Sequence, residues 1–218
     1  MQRPRRPSRP WTRSLPPREG PPRITALRRA RPGHVDVDLD GRRWRTIPDD
    51  VVVRSGLRAG IELDRPLARE LARELRRAKA LRAATRALRA RPLSERRLRE
   101  RLRSKGISHE AEHAALATLA SAGYVDDARL ARGRALVLAD RGWGDAAIVA
   151  RLTGEGLTAG EIEAAVSELE PEPARAAGLL FGKDPRKAWG LLERRGFDPA
   201  TIEAVLGPLD ESPAEGLG

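Results

Sequence analysis

From Ile24 onward apolar and polar positions alternate, most plainly through His34, Val35, Asp36, Val37, Asp38 and Leu39, and again from Arg43 to Ile47. A period of two marks a strand, and Asp40-Gly41 between the runs is a pair that readily adopts the positive φ of a two-residue turn. The pattern predicts a β-hairpin with Val35, Val37 and Leu39 on one face and Asp36 and Asp38 on the other. Pro48-Asp49-Asp50 then starts a short helix that Gly56 ends, and a tight segment around Gly60 leads to Ile61 and Leu63. Asp64 is placed to cap, and Pro66 to open, a helix reaching Ala90, whose apolar stripe runs through Leu67, Leu71, Leu75, Ala78, Leu81, Thr85 and Leu88 at steps of three or four.

Beyond Ala90 the pattern repeats. Lys105-Gly106-Ile107-Ser108, Glu155-Gly156-Leu157-Thr158 and Arg195-Gly196-Phe197-Asp198 each read charge, glycine, apolar, cap. The same apolar offsets precede each glycine, as Leu98 and Leu102, Ile148 and Leu152, Ala188 and Leu192, and Leu116, Val166 and Leu206 follow at a common offset. Glycine suits the left-handed residue that ends a helix, and Ser, Thr or Asp suits the cap of the next. Three short amphipathic helices bury little alone, so such modules stack on one another. The expected fold is mainly α: a small N-terminal β-hairpin module followed by tandem three-helix repeats forming an elongated helical array. Its expected parts are a basic Pro/Arg-rich disordered tail (1–22), the hairpin module (23–65), the long helix with the first repeat (66–124), second and third repeats (125–170 and 171–208) and a flexible tail (209–218).

Composition sharpens this picture through what it lacks. There is no cysteine among the 218 residues, which removes disulfides, thiolate metal sites and a thiol nucleophile together. No run approaches the roughly 20 apolar residues of a membrane span, and the Arg-rich start has no apolar core to make a secretory signal, so a soluble cytoplasmic protein with no membrane contact is expected. The formal net charge of +11 is unevenly placed: residues 67–105 alone carry +11, whereas 106–170 carry −6. A polarised molecule with one basic end suits phosphate or an acidic protein surface. Of the 42 basic residues only Lys79, Lys105, Lys183 and Lys187 are lysines. Arginine grips phosphate and carboxylate in a planar fork, and a genome rich in G and C favours it equally; both readings stand.

Candidate chemistry is sparse. His109-Glu110-Ala111-Glu112-His113 matches H-E-x-x-H, a zinc-hydrolase signature. It begins in the first turn after Ser108, where glutamates are favoured by the helix dipole alone. In the repeat alignment Glu112 falls where Ile162 and Ile202 stand, which suggests that the buried step shifts to Ala111 or Ala115. Asp36 to Gly41 opens like a calcium loop, but position twelve is Ile47 rather than a bidentate acid. Asp126 and Asp127 are adjacent on a helix start, where one serves as cap, and no phosphate loop is present. No metal, no cofactor and no catalytic residue is therefore expected. The basic helices remain. On the helix from Ser94 to Lys105, Arg96, Arg99 and Arg103 lie at about 160°, 100° and 140° from the buried Leu98. They form an outward stripe whose replacement is expected to spare the fold. Aromatic rings are lacking beside it, which favours backbone or acidic-surface contact over base reading.

The order of modules resembles the RecX family, regulators of the RecA recombinase. The resemblance is carried by Arg91-Pro92-Leu93-Ser94 with Leu98, Leu102 and Lys105-Gly106, by Gly123-Tyr124-Val125-Asp126-Asp127-Ala128-Arg129-Leu130-Ala131, and by Arg141-Gly142-Trp143-Gly144. Val37 to Gly41 and Gly56 to Gly60 resemble the family's hairpin and following turn. Leu130 departs from the Phe or Tyr usual there, and the third repeat matches less closely. The resemblance implies a monomeric, non-enzymatic protein that binds RecA or the RecA–single-stranded DNA filament and mostly inhibits its ATPase, strand-exchange and coprotease activities. It implies a role in recombination, DNA repair and the SOS response, with direct DNA contact also open. The basic residues expected to serve partner or DNA are Arg96, Arg99, Arg103, Arg86, Arg89, Lys105 and Arg129.

Overall fold

The computed structural model describes residues 20–180 and 184–207; most of the basic N-terminal tail and the 209–218 tail lie outside the described residues. Asp40 and Gly41 take φ of 53° and 78°, and this turn joins β2 (His34–Leu39) to β3 (Arg42–Pro48). A third strand, β1 (Ile24–Arg31), pairs antiparallel with β2, so the hairpin is the second half of a three-stranded meander. The register slips in the β1–β2 pairing between Ile24 and Ala26 and between Arg29 and Arg31, and in the hairpin at one place. Val37 pairs with Arg45 and Asp38 with Arg43, so Trp44 is an extra residue in β3. With this bulge, Asp38 is buried rather than outward, and its carboxylate forms an ion pair with Arg28.

The chain divides into two compact units, residues 1–75 and 76–218. In the first, α1 (Asp49–Arg54) contributes Val51 to a core with Ile24, Val37 and Ile47. Backbone bonds from Ile24 N to Ile61 O (2.8 Å) and from Leu63 N to Pro22 O (2.7 Å) hold the segment around Gly60 to the start of the sheet. The division falls inside the long helix α2 (Arg65–Ala90), whose first turn is capped by Asp64 accepting from Leu67 N at 2.9 Å.

The second unit is built from consecutive three-helix groups. The C-terminal half of α2 joins α3 (Glu95–Arg103) and α4 (His109–Ser121) around Leu98, Leu102, Ala115 and Leu119. Next, α5 (Asp127–Asp140), α6 (Asp145–Glu155) and α7 (Ala159–Ser167) enclose Ile148, Leu152 and Ile162. Finally α8 (Glu172–Gly178), α9 (Pro185–Arg194) and α10 (Pro199–Leu206) enclose Leu192, Phe197 and Ile202. Pro185 sits at the start of α9, where a missing N–H costs nothing. Of the stripe that the sequence pattern suggests on α2, Leu71 and Ala78 are buried, but toward the C-terminal end of the helix the buried side passes to alanines. Here Ala80, Ala84 and Ala87 are fully buried, while Leu81, Thr85 and Leu88 are only partly so. Small side chains let a neighbouring helix come closest, which turns the leucines toward the edge of the core.

One device joins successive repeats twice. At the first joint the N-terminus of α3 meets the C-terminus of α6: Ser94 Oγ donates to Glu155 O at 2.6 Å, and Glu95 N donates to both Asp127 oxygens at 2.9 and 3.1 Å. At the second, the N-terminus of α6 meets the C-terminus of α9: Gly144 N donates to Arg195 O at 2.9 Å, and Asp145 N to Glu172 Oε1 at 2.6 Å. In each case a carboxylate from the first helix of the next repeat satisfies an N–H that the preceding repeat's second helix leaves open.

Asp127 is shielded enough by this arrangement that burial pushes its carboxyl above its ordinary 3.8, with the nearby Glu161, Glu95 and Asp126 charges adding to the effect and the Glu95 N–H opposing it. The folded state therefore holds this proton more tightly than the unfolded chain does. Its contribution to stability is fully present below 3.8 and is lost as pH rises through the higher folded value. Asp127→Asn keeps an acceptor without the charge. Thermal unfolding across pH is expected to show the wild type losing ground to this variant as pH rises from below 3.8 toward neutrality; parallel curves would exclude the effect.

Candidate partner-binding surface

The seven basic residues singled out from the sequence fall into two groups. Arg96, Arg99, Arg103 and Lys105 lie on α3 and its C-terminal turn, and most of their charge is already used within the protein. Glu112 of α4 is buried, with only 2% of its side chain exposed, and it holds Arg103 Nε at 2.9 Å and Arg99 Nε at 3.4 Å. Arg99 also pairs with Glu95. Glu112 thus occupies the core position that Ile162 and Ile202 hold in the other repeats, and Ala111 and Ala115, buried beside it, supply the apolar step in this repeat. Arg96 lies over Gly156 and donates to Thr153 O at 3.3 Å, across the first joint. The stripe is outward with respect to α3, as the helical angles require, but α4 supplies an acid beneath two of its three members. Lys105 is exposed and has no acidic partner among the described residues.

Arg89 and Arg129 line a different feature, and Arg86 lies outside its lining. The C-terminal half of α2, the end of α4 and α5 leave between them a groove of about 900 Å³. Leu81, Thr85 and Leu88 form one wall, Leu130 and Val137 the other, and Leu93 and Leu119 lie between them. Tyr124, in the turn before α5, is 71% exposed, and Val137 is 43% exposed. Arg89, Arg129 and Arg134 line the edges, and Arg86 lies one turn before Arg89 on the exposed side of α2. Asp126 also lines the groove, but its carboxylate caps α5 by accepting from Arg129 N at 2.8 Å. Arg129 donates to Gly123 O at 2.6 Å, and Arg134 Nε lies 3.3 Å from Glu155 without the alignment of a hydrogen bond. Tyr124, Val137 and Arg134 were not identifiable as site residues from spacing. The signal, visible only in retrospect, is a lone tyrosine directly after a turn glycine.

His109 and His113 are both exposed on α4, and Glu112 between them is committed to Arg99 and Arg103. Among the described residues no three His, Cys, Asp or Glu side chains converge on a point that could hold a metal ion. The double variant His109→Ala, His113→Ala is expected to keep wild-type stability and partner binding; one zinc per chain by elemental analysis, lost in the variant together with binding, would overturn this. No described helix is long and apolar enough to cross a membrane.

No family model matches the chain. Among curated proteins it is 37% identical over 120 residues to regulatory protein RecX of Stenotrophomonas maltophilia, an alignment spanning 50% of this chain and 74% of that protein. It is 36% identical over 120 residues to the RecX protein of Xanthomonas campestris pv. campestris, again spanning 74% of the relative. Among solved structures, one described as regulatory protein RecX superposes with a TM-score of 0.72 at 20% identity, over 84% of this chain and 98% of that one. RecX from Lactobacillus salivarius superposes with a TM-score of 0.55 at 16% identity, over 60% and 94%. The first of these structures shares the sheet-and-helix-repeat fold and the second matches part of it, and the sequence relatives, matched over most of their own length, place the chain in the RecX family.

Proposed function

We propose that this protein binds the RecA recombinase, or the filament RecA forms on single-stranded DNA, and restrains its ATPase, strand-exchange and coprotease activities, acting in the cytoplasm as a binding protein rather than as an enzyme. The observation that carries this reading is the 37% identity to a regulatory protein RecX over most of that relative's length. The surface of the helical unit is in keeping with it: an apolar groove edged by arginines offers a place for a protein partner. The test is RecA ATPase on single-stranded DNA, with filament length measured in parallel, as this protein is added. Inhibition and shortened filaments near stoichiometric ratios are expected, and unchanged RecA behaviour at large excess refutes the reading.

A second reading, direct binding to nucleic acid through phosphates, draws on Arg86, Arg89 and Lys105, which are exposed and have no acidic partner among the described residues. Equal affinity for naked single-stranded DNA and for RecA filaments, falling steeply with salt, would favour it.

A further inference from the structure

The groove along α2 has the dimensions and chemistry of a helix seat. Leu81, Thr85 and Leu88 follow one another at steps of four and three, so that wall runs about 10 Å along α2 at 1.5 Å per residue. Leu130 and Val137 stand seven residues apart on the facing wall, the same length. A trough between two such ridges accepts the i, i+4, i+7 side chains of a third helix, the usual geometry of helix-in-groove recognition. Its edges are cationic. At about 100° per residue, Arg89, Arg82 and Arg86 lie roughly 80°, 100° and 140° from Leu81, on the flank of α2 away from the alanine core. All three are exposed and have no acidic partner among the described residues. The one acid lining the groove, Asp126, is held as the cap of α5. An aliphatic floor with a single ring at one end is poorly suited to bases, which bind through successive stacking platforms.

We propose that this groove seats a short amphipathic helix of a partner protein, of two to three turns, with aliphatic or aromatic anchors on one face and carboxylates along the side that meets Arg82, Arg86 and Arg89. The proposal rests on the reading that the protein works by binding a protein partner, which in that reading is RecA. Partner affinity then comes from Tyr124, Leu130 and Val137, and the choice of an acidic partner from the α2 arginines.

Fluorescence anisotropy of the full chain with two labelled synthetic helical peptides tests the seat directly. Both carry leucine at i, i+4 and i+7; one has glutamates on the flank and the other lysines in the same places. The glutamate peptide is expected to bind at least about tenfold more tightly, and Tyr124→Ala with Val137→Ser, at exposed positions that leave far-UV circular dichroism unchanged, to weaken it about tenfold or more. Arg89→Glu is expected to erase or reverse the preference. Equal binding of the two peptides, or binding indifferent to these substitutions, overturns the proposal. So does labelled oligothymidylate whose binding alone falls in the same variants, which makes the groove a nucleic-acid surface, or self-association that they abolish, which makes it a seat for a second copy. Preassembled RecA filaments separate the two readings. Filament binding unchanged by the groove variants removes the groove and keeps RecA; peptide binding as expected without filament binding keeps the groove and removes RecA.

Discussion

Replacing Arg99 and Arg103 together by glutamate is expected to cost about 3 kcal/mol of stability, near the lower end of the range for a buried ion stripped of its partner. Glu112 has almost no exposed surface, and both arginines converge on it from α3. With two further carboxylates in their place, the Glu112 charge is left in the core among like charges and without hydrogen-bond donors. The arginines are 35% and 56% exposed, so water screens part of the repulsion and keeps the cost from the upper end of the range. In a chain of this size about 3 kcal/mol lowers the melting temperature by roughly 10 °C. Glu112→Ile should behave quite differently. It installs the residue type that Ile162 and Ile202 supply at the matching positions, releases both arginines toward solvent and leaves Arg99 its pair with Glu95, so the change is expected to stay within about 1 kcal/mol of wild type. Thermal unfolding of the two variants separates them. If the double arginine variant melts like the wild type, Glu112 is not held as an ion by α3. The consequence for function is direct: loss of partner binding on reversing these two arginines would report unfolding, whereas Arg86, Arg89 and Lys105 can be changed without touching an internal ion pair.

The Glu112 cluster also shows where a sequence pattern stops being informative. Angles along α3 state which way Arg99 and Arg103 point relative to Leu98, but they carry nothing about what α4 brings beneath them. The glycine turns and their apolar offsets were legible because each repeat writes the same local rule: a left-handed residue, a cap and a buried pair. The Asp40-Gly41 turn was legible for the same reason. The bulge at Trp44 was not, since an extra residue in one strand is defined only by the register of the other. β1 was not resolved as a strand of its own, because Arg28, Arg29 and Arg31 interrupt the alternation that starts at Ile24. On α2 the leucines outweighed the alanines in the pattern, although close helix packing is decided by the smallest side chains. The groove has no signature of its own, because its walls come from α2 and from α5, more than forty residues further along the chain.

Gly144→Ala is expected to weaken the joint between the second and third repeats by about 2 to 3 kcal/mol, in the range of overpacked cores. Gly144 caps α6 with φ of −78° and ψ of 166°, a conformation that alanine adopts freely, so no backbone strain enters. The whole cost is contact. A methyl group there would land on the backbone of Gly196 and Phe197 in the turn after α9. To make room, that turn must withdraw from the N-terminus of α6, stretching the Gly144 N to Arg195 O bond of 2.9 Å and the Glu172 carboxylate that spans Asp145 N at 2.6 Å and Asp198 N at 3.2 Å. In a repeat array stability is the sum of each repeat and its interfaces with its neighbours, so the loss falls on the third repeat, which among the described residues packs on the second alone. Hydrogen exchange should quicken through α8, α9 and α10 while α3 and α4 keep their protection. Gly154, in the same helix, is the internal comparison: a Cβ there meets nothing within 4 Å, and Gly154→Ala should stabilise by up to about 1 kcal/mol through helix propensity alone. Two identical substitutions ten residues apart in one helix are thus expected to act with opposite signs, and a Gly144→Ala protein as stable as Gly154→Ala would show that the two repeats do not close on that glycine.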